Sequence, residues 1–159
     1  MRLLSLDIST KNTGYAIFEN DKLIESGVLV SDDKYLENRL IEMKYNIIKL
    51  CKESDISMMV TEQEQQHINS TVTIALSKLQ GVFRCLSDDL KIPYLFVPIN
   101  KWRIDVGIKH NLKREILKQL AIEKVKELYG LETTSDDEAE SILIGRWFLN
   151  NRKNIEGWE

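Results

Sequence analysis

Residues 2–19 read RLLSLDISTKNTGYAIFE. An apolar run, Leu3 to Leu6, ends in Asp7. Small and polar residues follow, then Gly14, then a second apolar run from Tyr15 to Phe18. Both runs read as strands, and a carboxylate closes the first. An unpaired buried charge costs several kcal/mol, roughly. Asp7 therefore either meets a partner or holds a cation for chemistry.

Working outward, residues 2 to 8, 13 to 19 and 22 to 30 are expected to be strands, with Asn20-Asp21 as a short hairpin turn. Residues 33 to 52 read as a helix, because Leu36, Leu40, Met43, Ile47 and Leu50 step by four and three. ISMMVTE, 56 to 62, is a fourth strand and also ends in a carboxylate, Glu62. Residues 70 to 90 form a second helix with Val72, Leu76, Leu79, Phe83 and Leu86 on one stripe. PYLFVP, 93 to 98, is a fifth strand. Residues 99 to 110 read as a loop holding Gly107. Helices are expected over 111 to 129, stopping at Gly130, and over 136 to 150. A hairpin meander followed by strand–helix alternation gives an α/β domain, residues 1–159, with a five-stranded mixed sheet flanked by helices. That order resembles the ribonuclease H-like fold.

Composition bounds the function. The chain has 159 residues, 43% of them hydrophobic, and a net charge of -3. Charge is segregated: Lys101 to Lys118 carries six Lys/Arg against two acids, leaving an acidic remainder. One basic segment on an acidic body is a pattern a phosphate-bearing partner would explain. Cys51 and Cys85 lack metal spacing and read as reduced thiols. The apolar run after Arg2 is too short for a signal peptide, and no stretch approaches the roughly 20 apolar residues of a membrane span. The chain is expected to be soluble and intracellular.

Three acidic features converge. Asp7 and Glu62 end strands, and Asp137 and Glu140 lie three apart on the last helix, sharing a face. Strand carboxyl ends are where open α/β sheets bind ligands. Four carboxylates gathered there repel one another unless divalent cations lie between them, and hard oxygen ligands suit Mg²⁺ or Mn²⁺. Two such ions are the apparatus of in-line phosphodiester hydrolysis. Ordinary roles compete: Asp7 as a turn former, Glu62 as a solvated strand end with Glu64 as a rival, and Ser135 with Glu138 as a capping box. None of these accounts for Glu140, one turn into the helix beside Ile142, Leu143 and Ile144.

The sequence resembles the RuvC-type Holliday junction resolvases. LSLDISTKNTGYAIF is similar to their first motif, VTEQ with LQG further on to the second, VGIKHNLKRE to the segment carrying a downstream lysine, and DDEAESILIG to the terminal acidic helix. The likeness covers about residues 3 to 149 and is strongest to resolvases of phages of Gram-positive bacteria, such as lactococcal phages. It implies an Mg²⁺-dependent endodeoxyribonuclease that resolves four-way junctions and other branched DNA, with two ions per subunit (Mn²⁺ substituting) and 5'-phosphate and 3'-hydroxyl products. Asp7 would bridge the metals, Glu62 hold one and Asp137 with Glu140 the other, while Lys113 acts on phosphate. Lys101, Arg103, Lys109, Lys113 and Arg114 would bind DNA, with Trp102 among them packing in the core or loop more readily than on a base. A homodimer is expected, as is cytoplasmic action, in the host bacterium if phage-encoded. Two positions depart from the family: Glu140 stands for Asp, and Gln65 replaces a wedge aromatic, so relaxed sequence selectivity is expected. His67 and His110 receive no role.

Three other readings stand beside this one. The same acids suit a ribonuclease H-like nuclease of RNA or general branched DNA. DISTKNTG also resembles the phosphate loop of sugar kinases and actin-like ATPases, which need a second domain and a second loop. A non-catalytic junction-binding module would not need four carboxylates. The dimer patch is expected on the helix of residues 70 to 90, where Ile74, Val82 and Cys85 widen the apolar surface and Gly81 permits close approach.

Overall fold

In β1, Arg2–Asp7, alternate side chains serve two different cores. Leu3 and Ser5 face one side of the sheet, Leu4 and Leu6 the other, as the two-residue strand period requires. The computed structural model describes residues 1–63, 70–98, 100–109 and 111–155. The remaining strands are β2, Asn12–Glu19, β3, Lys22–Val30, β4, Met58–Glu62, and β5, Tyr94–Val97. The helices are α1, Leu36–Glu53, α2, Ser70–Leu90, α3, Lys101–Asp105, α4, Arg114–Tyr129, and α5, Asp136–Asn151.

The sheet order is β3-β2-β1-β4-β5. The first three strands form the expected antiparallel meander. Asn20 and Asp21 turn its second corner at φ 49° and 68°, the left-handed pair that a two-residue hairpin needs. β4 and β5 add in parallel, through the crossovers α1 and α2.

One face of the sheet is covered by α1 and α2, packing Met43, Ile47, Leu79, Phe83 and Leu86 onto Leu4, Leu6, Ile17 and Met59. The other is covered by α5, which buries Ala139, Ile142, Leu143, Ile144 and Phe148 against Leu3, Phe18, Met58 and Val60. Each fully buried side chain of this kind stabilises the fold by roughly 1.5–3 kcal/mol. The helix lies unusually close to the strands. A Cβ on Gly145 would stand 2.4 Å from the Phe18 ring and 2.5 Å from Ser5 Oγ. Ser5 Oγ donates to the Ser141 carbonyl at 2.6 Å, tying β1 to α5 in the dry interior.

Several boundaries differ from the sequence reading. α1 starts at Leu36 rather than 33, because Asp33 accepts a hydrogen bond from the Tyr35 amide (2.7 Å) and holds the approach extended. The helix expected from 111 begins at Arg114, with Lys113 extended at its N-cap. It stops as expected at Gly130, in the left-handed region at φ 65°. The segment expected to be a loop over 99 to 110 contains α3, and Trp102 on that helix is fully buried. Cys51 is buried and Cys85 exposed, both free. Among the described residues no helix is long and apolar enough to cross a membrane.

Candidate metal centre

The period of two also aims the strand-end acids. Asp7 follows Leu3 and Ser5 on the α5 face of β1, and Glu62 follows Met58 and Val60 on the same face of β4. The strands pair in parallel with Leu6 opposite Thr61, a register pinned by the bond from Thr61 Oγ1 to the Leu6 carbonyl (2.9 Å). Asp7 and Glu62 each stand one residue beyond that pair. They are therefore lateral neighbours, on one face, at the carboxyl end of a parallel pair.

α5 brings the other two acids over them. Gly14 pairs with Asp7 across the β1–β2 ladder. A Cβ on Gly14 would lie 1.8 Å from the Asp137 carbonyl oxygen, so the first turn of α5 rests directly on the β2 backbone. Only a glycine permits that approach. It sets Asp137 beside Asp7, and Glu140 follows one turn along the same helix face.

Electrostatics report the crowding. Burial holds the Asp7 carboxyl well above the usual range, and the charges of Glu140, Asp137 and Glu62 raise it further, with Arg103 opposing. Glu140 is raised mainly by burial, against the pull of Arg103. Asp137 is raised by burial and by Asp136, against Lys118 and Arg114. The other three acids thus all act on Asp7.

The donors around them come from α3. Asn100, left-handed at φ 61°, presents its amide to Glu62 Oε1 at 3.1 Å, and Trp102 Nε1 donates to the same oxygen at 2.8 Å. Arg103 Nη2 donates to Glu140 Oε2 at 3.0 Å. With Glu62 and Glu140 turned to these donors, no three acidic, histidine or cysteine side chains among the described residues form a ready ion cage. The donor set is nonetheless hard carboxylate oxygen from three chain segments, with too little resident cation, which fits Mg²⁺ or Mn²⁺.

Neighbouring acids are otherwise engaged. Asp136 pairs with Lys118 at 2.5 Å. Ser135 caps α5 by accepting from the Glu138 amide at 3.2 Å. The reciprocal half of the expected capping box does not form. Glu138 instead accepts from Ser26 Oγ (2.6 Å) and Thr133 Oγ1 (2.5 Å), and Thr133 takes the Ser135 amide. A half-buried carboxylate with two nearby hydroxyls is better satisfied there than by one backbone amide.

The basic segment divides. Lys101, Lys109, Lys113 and Arg114 are exposed, and Arg114 is near enough to act on Asp137. Arg103, expected among the phosphate-binding cations, is drawn inward to Glu140. Glu64, Gln65, His67 and His110 lie outside the described residues. The sequence reading missed the contacts of Asn100 and Trp102 with Glu62. One signal was available: a tryptophan just after a strand carries an indole N–H that must find an acceptor once buried.

No protein-family model matches the chain. A crossover junction endodeoxyribonuclease RuvC from Aliarcobacter butzleri is 32% identical over 85 residues, which is 51% of this chain and 55% of that protein. The chain thus matches about half the length of this curated relative. The Thermus thermophilus RuvC structure in complex with a Holliday junction substrate superposes with a TM-score of 0.79 at 10% identity, covering 97% of this chain and 96% of that one. The fowlpox virus resolvase, solved with substrate Holliday junction DNA, gives 0.64 at 16% identity over 96% and 99%. The yeast mitochondrial Holliday junction resolvase gives 0.61 at 18% identity over 96% and 84%. At these identities the likeness establishes architecture: the chain has the ribonuclease H-like fold of the RuvC structures.

Proposed function

We propose that this chain is a divalent-metal-dependent endodeoxyribonuclease that resolves four-way DNA junctions and cuts other branched DNA. One observation carries the reading: Asp7 and Glu62 end adjacent parallel strands on one face, and α5 lays Asp137 and Glu140 over them. Asp7 would be shared between two ions, with Glu62 on one and Asp137 and Glu140 on the other. Such ions, Mg²⁺ or Mn²⁺, supply the Lewis acidity that activates water and stabilises charge in phosphodiester hydrolysis. The chain's own residues place the substrate. Lys113, at the N-cap of α4, would meet the phosphate, and Lys101, Lys109 and Arg114 would neutralise the flanking backbone. The likeness to a RuvC relative and to resolvases solved with junction DNA supports four-way junctions over other substrates. The resemblance to phage resolvases would place the activity in the bacterial cytoplasm. The test is cleavage of labelled four-way junction, fork, duplex and RNA–DNA hybrid side by side, with Mg²⁺ and with EDTA. Preferential, EDTA-sensitive cutting of the junction is expected. Preference for the hybrid would instead favour a ribonuclease of the same fold.

Changing Lys109, Lys113 and Arg114 together to Ala should weaken junction binding and lower the slope of log affinity against log salt by about one per lost phosphate contact. Lys113→Ala alone should slow single-turnover cleavage more than it weakens binding. A salt slope equal to wild type would put the DNA surface elsewhere.

Resolution needs nicks in two opposed strands of a two-fold symmetric junction, and one subunit has one acidic site. Two sites in fixed relation call for a C2 homodimer. α2 is the candidate interface. Leu79, Phe83 and Leu86 face the core, whereas Val72 and Ile74 are 40% and 55% exposed, and no atom of the described residues packs within 4 Å of where a Gly81 Cβ would be. In a solitary subunit Gly81→Ala should stabilise by about 1 kcal/mol, through helix propensity. In a dimer with close helix approach the same change should weaken association. Sedimentation equilibrium at micromolar concentration separates the two, and a monomeric wild type would contradict the dimer.

A further inference from the structure

Arg103 is the least ordinary cation in the molecule. Its side chain is 15% exposed and that of its partner Glu140 12%, whereas a pair such as Lys49 and Glu53 is mostly in solvent. The guanidinium is held on three sides. Nη2 donates to Glu140, Nη1 donates to Asn100 Oδ1 at 2.9 Å, and the Cζ atom stacks 4.5 Å from the centroid of the Trp102 ring. Its Nε is buried and has no hydrogen-bond partner among the described residues. The same short stretch, Asn100 to Arg103, fixes Glu62 through the Asn100 amide and the Trp102 indole. Two carboxylates of the acidic centre are therefore positioned by one turn of chain, and one of them by a full positive charge.

A charge there has two consequences. In the metal-free protein it offsets part of the repulsion among Asp7, Glu62, Asp137 and Glu140. When a divalent ion enters, Glu140 has to share its carboxylate between the ion and the guanidinium, and the fixed cation repels the ion across a few ångströms of poorly screened protein. We propose that Arg103 is a positioning residue and resident counter-ion of the metal centre, which orders Glu140 before metal binds and holds divalent-ion affinity down. The acidic cluster is then stable without metal, and a phosphate brought by the substrate, adding negative charge, favours full loading. This rests on the reading of the four acids as metal ligands.

The test titrates Mn²⁺ into the DNA-free protein, reading free Mn²⁺ by electron paramagnetic resonance, alongside the melting temperature in EDTA. Arg103→Gln should bind Mn²⁺ about tenfold more tightly than wild type, because the repelling charge is gone, and should melt lower in EDTA. Arg103→Lys keeps the charge and should stay within about threefold of wild type. A merely structural arginine predicts the opposite sign, with looser ion binding in both variants. Unchanged or weaker binding by Arg103→Gln overturns the proposal, as does an Arg103→Lys variant that behaves like Arg103→Gln. Should Arg103→Gln not fold in EDTA, folding recovered by Mn²⁺ supports the proposal and no recovery overturns it. Asp7→Asn separates the two levels. If it loses Mn²⁺ binding while Arg103→Gln leaves affinity unchanged, the counter-ion role alone fails. If Asp7→Asn binds Mn²⁺ as wild type does, the metal-site reading fails and this proposal with it.

Discussion

Asp7→Asn is expected to slow junction cleavage by about a thousandfold or more while raising the melting temperature of the metal-free protein by several degrees. The two effects share one cause. Asp7 ends a strand whose preceding residues, Leu3 to Leu6, are all fully buried, and it senses Glu140, Asp137 and Glu62 together. In the unfolded chain Asp and Glu titrate near 3.9 and 4.3, roughly. In the folded protein Asp7, Asp137 and Glu140 are all raised, each chiefly by burial. Between the ordinary range and those raised values the folded state binds more protons than the unfolded state. Its metal-free stability therefore falls as pH rises through that window. Removing the Asp7 charge removes part of this fall, so the variant should melt higher than wild type at pH 8 in EDTA and show a flatter pH dependence. It should also lose the shared ligand and with it the reaction. Cleavage within about tenfold of wild type, or a variant less stable in EDTA at pH 8, would sink the assignment of Asp7.

Gly14→Ala should be the most damaging small substitution in the protein. The added Cβ would lie 1.8 Å from the Asp137 carbonyl oxygen and 2.3 Å from its carbonyl carbon, both backbone atoms. Neither side can yield cheaply. Gly14 is paired to Asp7 on one edge and to Val28 on the other, and α5 is anchored in the core through Ala139, Ile142, Leu143, Ile144 and Phe148. Overpacking of this kind costs about 1–3 kcal/mol and occasionally more, and the backbone clash puts Gly14 at the upper end. For a chain of this size that is a fall in melting temperature of roughly 10 °C. The relief available is a shift of the first turn of α5 away from β2, which carries Asp137 away from Asp7. Misplacement by about 1 Å can cost a hundredfold in rate, so cleavage measured well below the melting point should fall by about that factor. A variant with wild-type stability would show that α5 does not rest on β2 at this residue.

Much of this arrangement is legible in the chain. The apolar run ending in Asp7, the turn pair Asn20-Asp21, and the heptad-like stepping of α1 are local signals, and each produced the element it implied. The facing of Asp7 with Glu62 follows from strand period alone once the two strands are neighbours. The three-residue spacing of Asp137 and Glu140 needs only a helix. What escaped was long-range or too short to have a period. α3 is five residues long, and its donors reach acids 37 to 40 positions away. Read by charge alone, Arg103 belongs with the phosphate-binding cations, yet a buried acid outcompetes solvent for it. Glu138 has the spacing of a capping residue, but Ser26, 112 positions earlier, donates to its carboxylate, and the cap amide goes to Thr133. Spacing identifies which residues can interact, and tertiary packing decides which of the available partners they take.

The claim that three chain segments build one metal centre is tested most directly by anomalous diffraction from crystals soaked in Mn²⁺. Anomalous density bounded by Asp7, Glu62, Asp137 and Glu140 is expected, with carboxylate oxygens about 2.1 Å from the ion. Density elsewhere, or none at Mn²⁺ concentrations that support cleavage, would contradict it.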